Sequence, residues 1–221
     1  GPPPKATASS PTPPVNRTPA PWRLDSHAVS PLRLKRLRHE FAASLDDEFE
    51  PLCEIPIVPS EDCHLAGVIW LHDGSSYANA DNRRATVFVR GMYITGDARE
   101  LMPGWAGFAS CVVESSGFTP TASREDLQKD AFYHQAREHI HRALVDGLIH
   151  IVRHEPETWQ RILRRHNEGL LGAAISDQAL FDAVSRALKV PSSEGDYALP
   201  ELLKQSGNKL IVTMEEKGNY E

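Results

Sequence analysis

The sequence predicts an α+β fold with its strands first and its helices second. Three observations carry this. Stretches rich in Val, Ile and aromatic residues, bounded by turn formers, fill the region from Leu52 to Val113. From Ser123 the apolar spacing changes to a helical period and keeps it to about Lys189. A last apolar stretch, Leu210 to Met214, returns to strand character. Strands, then helices, then a small mixed unit is a segregated layout, the mark of an α+β fold.

The chain begins differently. Nine of its 17 prolines fall between Pro2 and Pro31, and the first twenty residues hold one aliphatic side chain larger than alanine, Val15. Such a stretch cannot bury enough surface to offset its chain entropy, so residues 1–20 are expected to be a disordered arm or linker. Order is expected to start near Trp22. Ser30-Pro31 supplies an N-cap and a first-turn proline, and Leu34, Leu37, Phe41 and Leu45 then mark one face of a helix. The opposite face carries Arg33, Lys35, Arg36, Arg38 and His39, read as a solvated helix face.

Strands are expected at Leu52–Val58, Gly67–Leu71, Ala85–Thr95 with a bulge at Gly91, and Phe108–Val113. The polar run His72–Arg84 reads as a surface loop. Ser123 is the predicted N-cap of a helix of about thirty residues, with Glu125 and Asp126 in its first turn. Pro156 starts a second helix carrying Trp159, Ile162, Leu163 and Leu170, and a third runs from Asp177 to Lys189. A short helix at Leu199–Lys204 and the strand at Leu210–Met214 close the chain. The expected units are the arm at 1–20, a larger α/β unit with its long exit helix at 21–155, and a helical and small α/β unit at 156–221.

Composition narrows the function classes. The chain has 221 residues, 40% of them hydrophobic, and 24 basic against 30 acidic side chains give a net charge of −6. That balance weighs against nucleic-acid binding through the Arg33–His39 helix or through Arg83 and Arg84. No run approaches the roughly 20 apolar residues of a membrane span, so no membrane partner is expected. Cys53, Cys63 and Cys111 are odd in number and irregular in spacing, which suits free thiols and a cytoplasmic location. His150 and His154 share a helix face at zinc-ligand spacing, but no H-E-x-x-H or cysteine partner completes a site, and no metal is expected. Phosphate-cradling glycine motifs are absent from the sequence as well. The chain is therefore expected to bind and turn over no ATP by itself.

One block is far more specific: FVRGMYITGDARELMPGWAGFASCVVESSGFTPTASREDLQKD. Val89, Arg90, Tyr93 and Ile94 are followed by Leu101, Pro103, Trp105 and Phe108. Val112, Val113, Glu114 and Ser115 come next, then Ser123, Arg124, Glu125, Leu127 and Gln128. In order and spacing these residues resemble the middle domain of the heat-shock protein 90 chaperone family, including its bacterial HtpG-like branch. More weakly, the resemblance extends from Val15 to the C-terminus. Thr119, Pro120, Thr121 and Ala122 stand where the family has Pro-Leu-Asn and a hydrophobic residue.

The resemblance implies a larger α/β sandwich unit of the ribosomal S5 domain 2-like kind, then a helical coil and a small α/β unit. It implies the middle segment of an ATP-dependent chaperone, active as a homodimer when full length. ATP, with Mg, would be held by a separate N-terminal nucleotide-binding domain, and dimerisation would fall to a C-terminal domain. Arg124 would reach the γ-phosphate, Gln128 would add a second polar contact, and Thr121 would take the place of the family's loop asparagine. Client proteins would be the further partners. From the residues alone, an interaction domain with no nucleotide role is the alternative, and Arg124 could equally be a helix-start arginine paired with Glu125 or Asp126.

Overall fold

A computed structural model describes residues 20–24, 28–46, 50–74, 81–192, 195–198 and 204. The arm at 1–19, most of the 199–204 segment and the 210–214 strand lie outside the described residues.

A short 3-10 turn at Pro21–Arg23 leads to α1, Pro31–Leu45. Ser30 caps this helix as its sequence predicts, its Oγ accepting the Arg33 N–H at 3.4 Å, with Pro31 at the first helical position. The helix precedes three strands that match the sequence reading to within a residue: β1 at Pro51–Ile57, β2 at Ala66–His72 and, further on, β5 at Ala109–Glu114. The segment read as one bulged strand is instead a hairpin, β3 at Arg84–Val89 and β4 at Met92–Thr95. Arg90 and Gly91 form its two-residue turn with φ of 50° and 80°. Two consecutive positive φ values define the type I′ geometry whose twist matches the flanking strands, and Gly91 takes it at no steric cost. The register irregularity falls between Val87 and Phe88, not at Gly91.

The five strands form one mixed sheet in the order β1-β2-β5-β3-β4. Only the β3–β5 pair is parallel; the others run antiparallel. Three helices follow: α2 at Ala131–His154, α3 at Pro156–Ser176 and α4 at Gln178–Val184. A two-stranded hairpin, β6 at Lys189–Ser192 and β7 at Gly195–Ala198, follows them. The third helix is thus shorter than its predicted Asp177–Lys189 span. Asp177 caps it, as its Oδ1 accepts the Leu180 N–H at 3.0 Å, but residues 189–192 turn to strand, where Pro191 could not continue a helix.

The sheet buries both faces. On one, Ile55, Ile69, Leu71, Val87, Cys111 and Val113 meet Ile140, Leu144 and Leu148 of α2 and Ile162 and Leu170 of α3. On the other, Val68, Trp70, Phe88 and Val112 are covered by Ala20, Phe41 and Ala42. Burying a side chain of this size contributes about 1.5–3 kcal/mol each before entropy is counted. Phe41 anchors α1, while Leu37 is only half-buried. The fold is α+β, as read from the sequence, with helices packed on a mixed sheet.

Candidate functional site

The loop between β5 and α2 carries every residue singled out for function. It is built on buried anchors. Ser115 donates its hydroxyl to His64 O at 2.6 Å and accepts the Gly117 N–H at 3.1 Å. Phe118 is buried and meets the Phe132 ring edge-on, 5.1 Å between centroids. Leu127 is buried at the far end and pairs with Pro120 in an isolated antiparallel bridge. Lys129 then forms an ion pair with Glu100.

Between these anchors the backbone closes on itself. Thr121 N–H donates to Asp126 O at 2.8 Å, Arg124 N–H to Thr121 O at 2.9 Å, and Gln128 N–H to Thr119 O at 2.8 Å. Arg124 sits at the tip with φ of 59°, in the left-handed region that L-residues other than glycine seldom occupy. Such strain persists only where the surrounding structure imposes it. The segment is not helical. Helix α2 begins seven residues later than predicted, capped by Asp130, whose Oδ1 accepts the Tyr133 N–H at 3.0 Å. That contact, followed by one from the Thr119 hydroxyl, holds the Asp130 carboxyl below the usual carboxylate range. Ser123 is therefore no N-cap, and Gln128 lies across the base of a closed loop, not one helical turn on from Arg124.

The three predicted site residues are brought into one loop with different freedom. The Arg124 side chain is exposed and, among the described residues, makes no ion pair with Glu125, Asp126 or any other carboxylate. It is not a paired helix-start arginine. Gln128 is exposed, with its side-chain nitrogen donating to Pro120 O at 3.3 Å. Thr121 works inside the loop: its hydroxyl lies 3.1 Å from Ser123 Oγ and 3.2 Å from Asp126 O. An exposed guanidinium presents a planar fork of donors suited to phosphate or carboxylate oxygens. The residues fit an anionic group offered from outside the chain.

The basic face of α1 is partly neutralised. Lys35 pairs with Glu155 at 3.1 Å and Arg36 with Glu40 at 2.8 Å. His150 and His154 place their rings 4.6 Å apart on the exposed side of α2. No described helix is long and apolar enough to cross a membrane.

Two polar groupings escaped the sequence reading. Glu114, at the end of β5, binds Trp22, Arg23 and Gly91. Beneath the sheet, Asp46, His72, Ser110 and His166 are all buried together. Their contacts span 26 to 94 residues of sequence, so no local spacing signals them.

Residues 72–204 match the family described as Hsp90 protein. The match covers more than half of the chain and spans β3 through β7, the loop included. The chain belongs to the Hsp90 family. Among curated relatives, the chaperone protein HtpG of Methylococcus capsulatus is 26% identical over 117 residues, 52% of this chain and 18% of that protein. HtpG of Halorhodospira halophila is 26% identical over 120 residues, with the same 52% and 18% coverage. HtpG of Alkalilimnicola ehrlichii is 22% identical over 116 residues, again 52% and 18%. The aligned part thus spans about a fifth of the length of these relatives.

Proposed function

We propose that this chain is the middle segment of an ATP-dependent molecular chaperone. Family membership supports the chaperone role, and the exposed Arg124 at a strained loop tip, which pairs with no carboxylate among the described residues, supports the nucleotide role. That arginine is the observation that carries the reading. ATP, with Mg, supplies the phosphoanhydride bond whose hydrolysis drives such a cycle, and it would be held on a separate N-terminal domain. Arg124 contributes a fixed positive charge to the γ-phosphate oxygens, where negative charge builds as that bond breaks. Gln128, at the base of the same loop, contributes a second polar contact. Because Phe118 and Leu127 root the loop in the core, Arg124 is held in place and loses little freedom on engagement. Thr121 shapes the loop from within by its bonds to Ser123 and Asp126.

Client contact belongs to the same proposal. Leu32, Val58 and Ile175 are 81%, 64% and 70% exposed, large apolar side chains open to a non-native polypeptide. The full-length protein is proposed to act as a cytoplasmic homodimer joined through a C-terminal domain. The test is suppression of aggregation: full-length protein should keep a heat-unfolded model protein in solution and release it only with ATP. Arg124→Ala should bind the unfolded protein but fail to release it. ATP-dependent release undiminished in that variant would contradict the reading.

A further inference from the structure

Four hydrogen-bond donors from two distant stretches converge on one carboxylate. Glu114 Oε2 accepts from Trp22 Nε1 and from Arg23 Nε, each at 2.9 Å. Its Oε1 accepts from Arg23 Nη2 and from the Gly91 backbone N–H, the latter at 2.9 Å. The carboxylate is 15% exposed, and its tryptophan partner lies 92 residues earlier in the chain. Burial pushes the Glu114 pKa up, but Arg23 and Trp22 more than offset this and hold it below the usual range. A bidentate guanidinium contact fixes orientation as well as distance.

Both sides of this carboxylate are anchored by contacts. On one side, the Trp22 ring meets Phe41 of α1 edge-on at 5.3 Å, so the lead-in segment Pro21–Arg23 is seated against the first helix. On the other side, Ser115 follows at once, its N–H donating to Phe88 O at 3.2 Å and its hydroxyl to His64 O. Gly117 is bound to Ser115, and Phe118 enters the core. No slack separates Glu114 from the first buried anchor of the Arg124 loop.

We infer that Glu114 is a positioning residue that couples the lead-in segment at Trp22–Arg23 to the Arg124 loop. A shift of the chain where it enters the sheet face is thereby transmitted to the loop that carries the phosphate-facing arginine. The catalytic consequence rests on the reading of Arg124 given above; the mechanical coupling does not.

Amide exchange on this chain tests the coupling. Glu114→Gln keeps the side-chain shape and removes the charge. It should speed exchange at Gly91 about tenfold and at Thr121, Arg124 and Gln128 about threefold or more. Faster exchange at Gly91 with the three loop amides unchanged would overturn the proposal, as would no change at either place. Arg23→Gln leaves the carboxylate in place and should speed the same loop amides to a smaller degree, which separates coupling from misfolding by the first variant. In the full-length protein, Glu114→Gln should lower kcat for ATP about fivefold or more with KM unchanged, the pattern of lost alignment. A wild-type kcat beside a loosened loop would overturn the positioning role. If Arg124→Ala leaves turnover intact, the reading of Arg124 fails, and the exchange result still decides the coupling.

Discussion

His166 Nε2 lies 2.6 Å from the backbone carbonyl oxygen of His72, joining the middle of α3 to the end of β2. The helix kinks at this residue, with φ of −132° and ψ of 24°, and the imidazole stacks on Phe108 with centroids 5.1 Å apart. His72 is itself fully buried, its Nε2 2.9 Å from Ser110 Oγ and 3.6 Å from Asp46 Oδ2. Serine, histidine and aspartate meet here without forming a nucleophilic triad. Both partners approach the same ring nitrogen, and all three residues are sealed from substrate. The grouping is structural.

It makes stability depend on pH. Burial pushes His72 down to about 4 against the pull of Asp46, with His166 and Arg84 adding to the fall. Burial also lowers His166, partly offset by its bond to the His72 carbonyl. A histidine depressed on folding binds its proton more readily unfolded, so stability is full above the unfolded pKa near 6.5. It is lost as pH falls from there to about 4. Thermal melts at pH 7.5 and 5 should differ by on the order of 2 kcal/mol. His72→Gln should flatten much of that slope; a slope unchanged in the variant would count against the assignment.

Gly169 of α3 faces the same phenylalanine from the helix side. A Cβ built there would lie 2.6 Å from Phe108 Cδ1 and 2.9 Å from Cε1, too close for any real contact. Phe108 is 2% exposed and stacked on His166, so its ring has little room to yield. Gly169→Ala should therefore destabilise by about 1–2 kcal/mol despite alanine's better helix propensity. Chemical denaturation should show the loss in the midpoint with the slope unchanged.

The tip of the Arg124 loop separates fold from function. Its positive φ costs an L-residue about 1–2 kcal/mol, a cost glycine does not bear. Arg124→Gly relieves that strain while adding chain entropy to the unfolded state, and the two nearly cancel. The variant should melt within about 0.5 kcal/mol of wild type. A loss well beyond that would show that the guanidinium supports the fold.

Local signals were readable where they act locally. Ser30-Pro31 starts α1, Pro156 starts α3, and the apolar runs of β1, β2 and β5 lie where their composition puts them. The start of α2 misleads for a definite reason. Leu127 and Ala131 are spaced like helix neighbours, but Leu127 is buried from the loop side by its bridge to Pro120, and the capping aspartate is Asp130. At Gly91, a glycine within an apolar run signals a bulge and a two-residue turn equally well, and only the positive φ of Arg90 decides. The forty-residue context points to Arg124, whereas its left-handed conformation belongs to the folded loop. Glu114 and His72 are defined by partners far away in sequence, which single-chain periodicity does not encode.

Arg124 is proposed to stabilise charge on the γ-phosphate of a nucleotide held elsewhere in the full-length protein. Steady-state ATP turnover, nucleotide affinity and melting temperature of wild type, Arg124→Ala and Arg124→Lys test it together. Arg124→Ala should lower turnover by up to about 10³ where the arginine is fully engaged, less where domain docking limits the cycle. ATP affinity and melting temperature should stay close to wild type. Arg124→Lys should rescue poorly, since the ammonium keeps the charge and loses the fork. Turnover per folded molecule equal to wild type in Arg124→Ala, with a clear drop in melting temperature, would contradict the account and make Arg124 a structural residue.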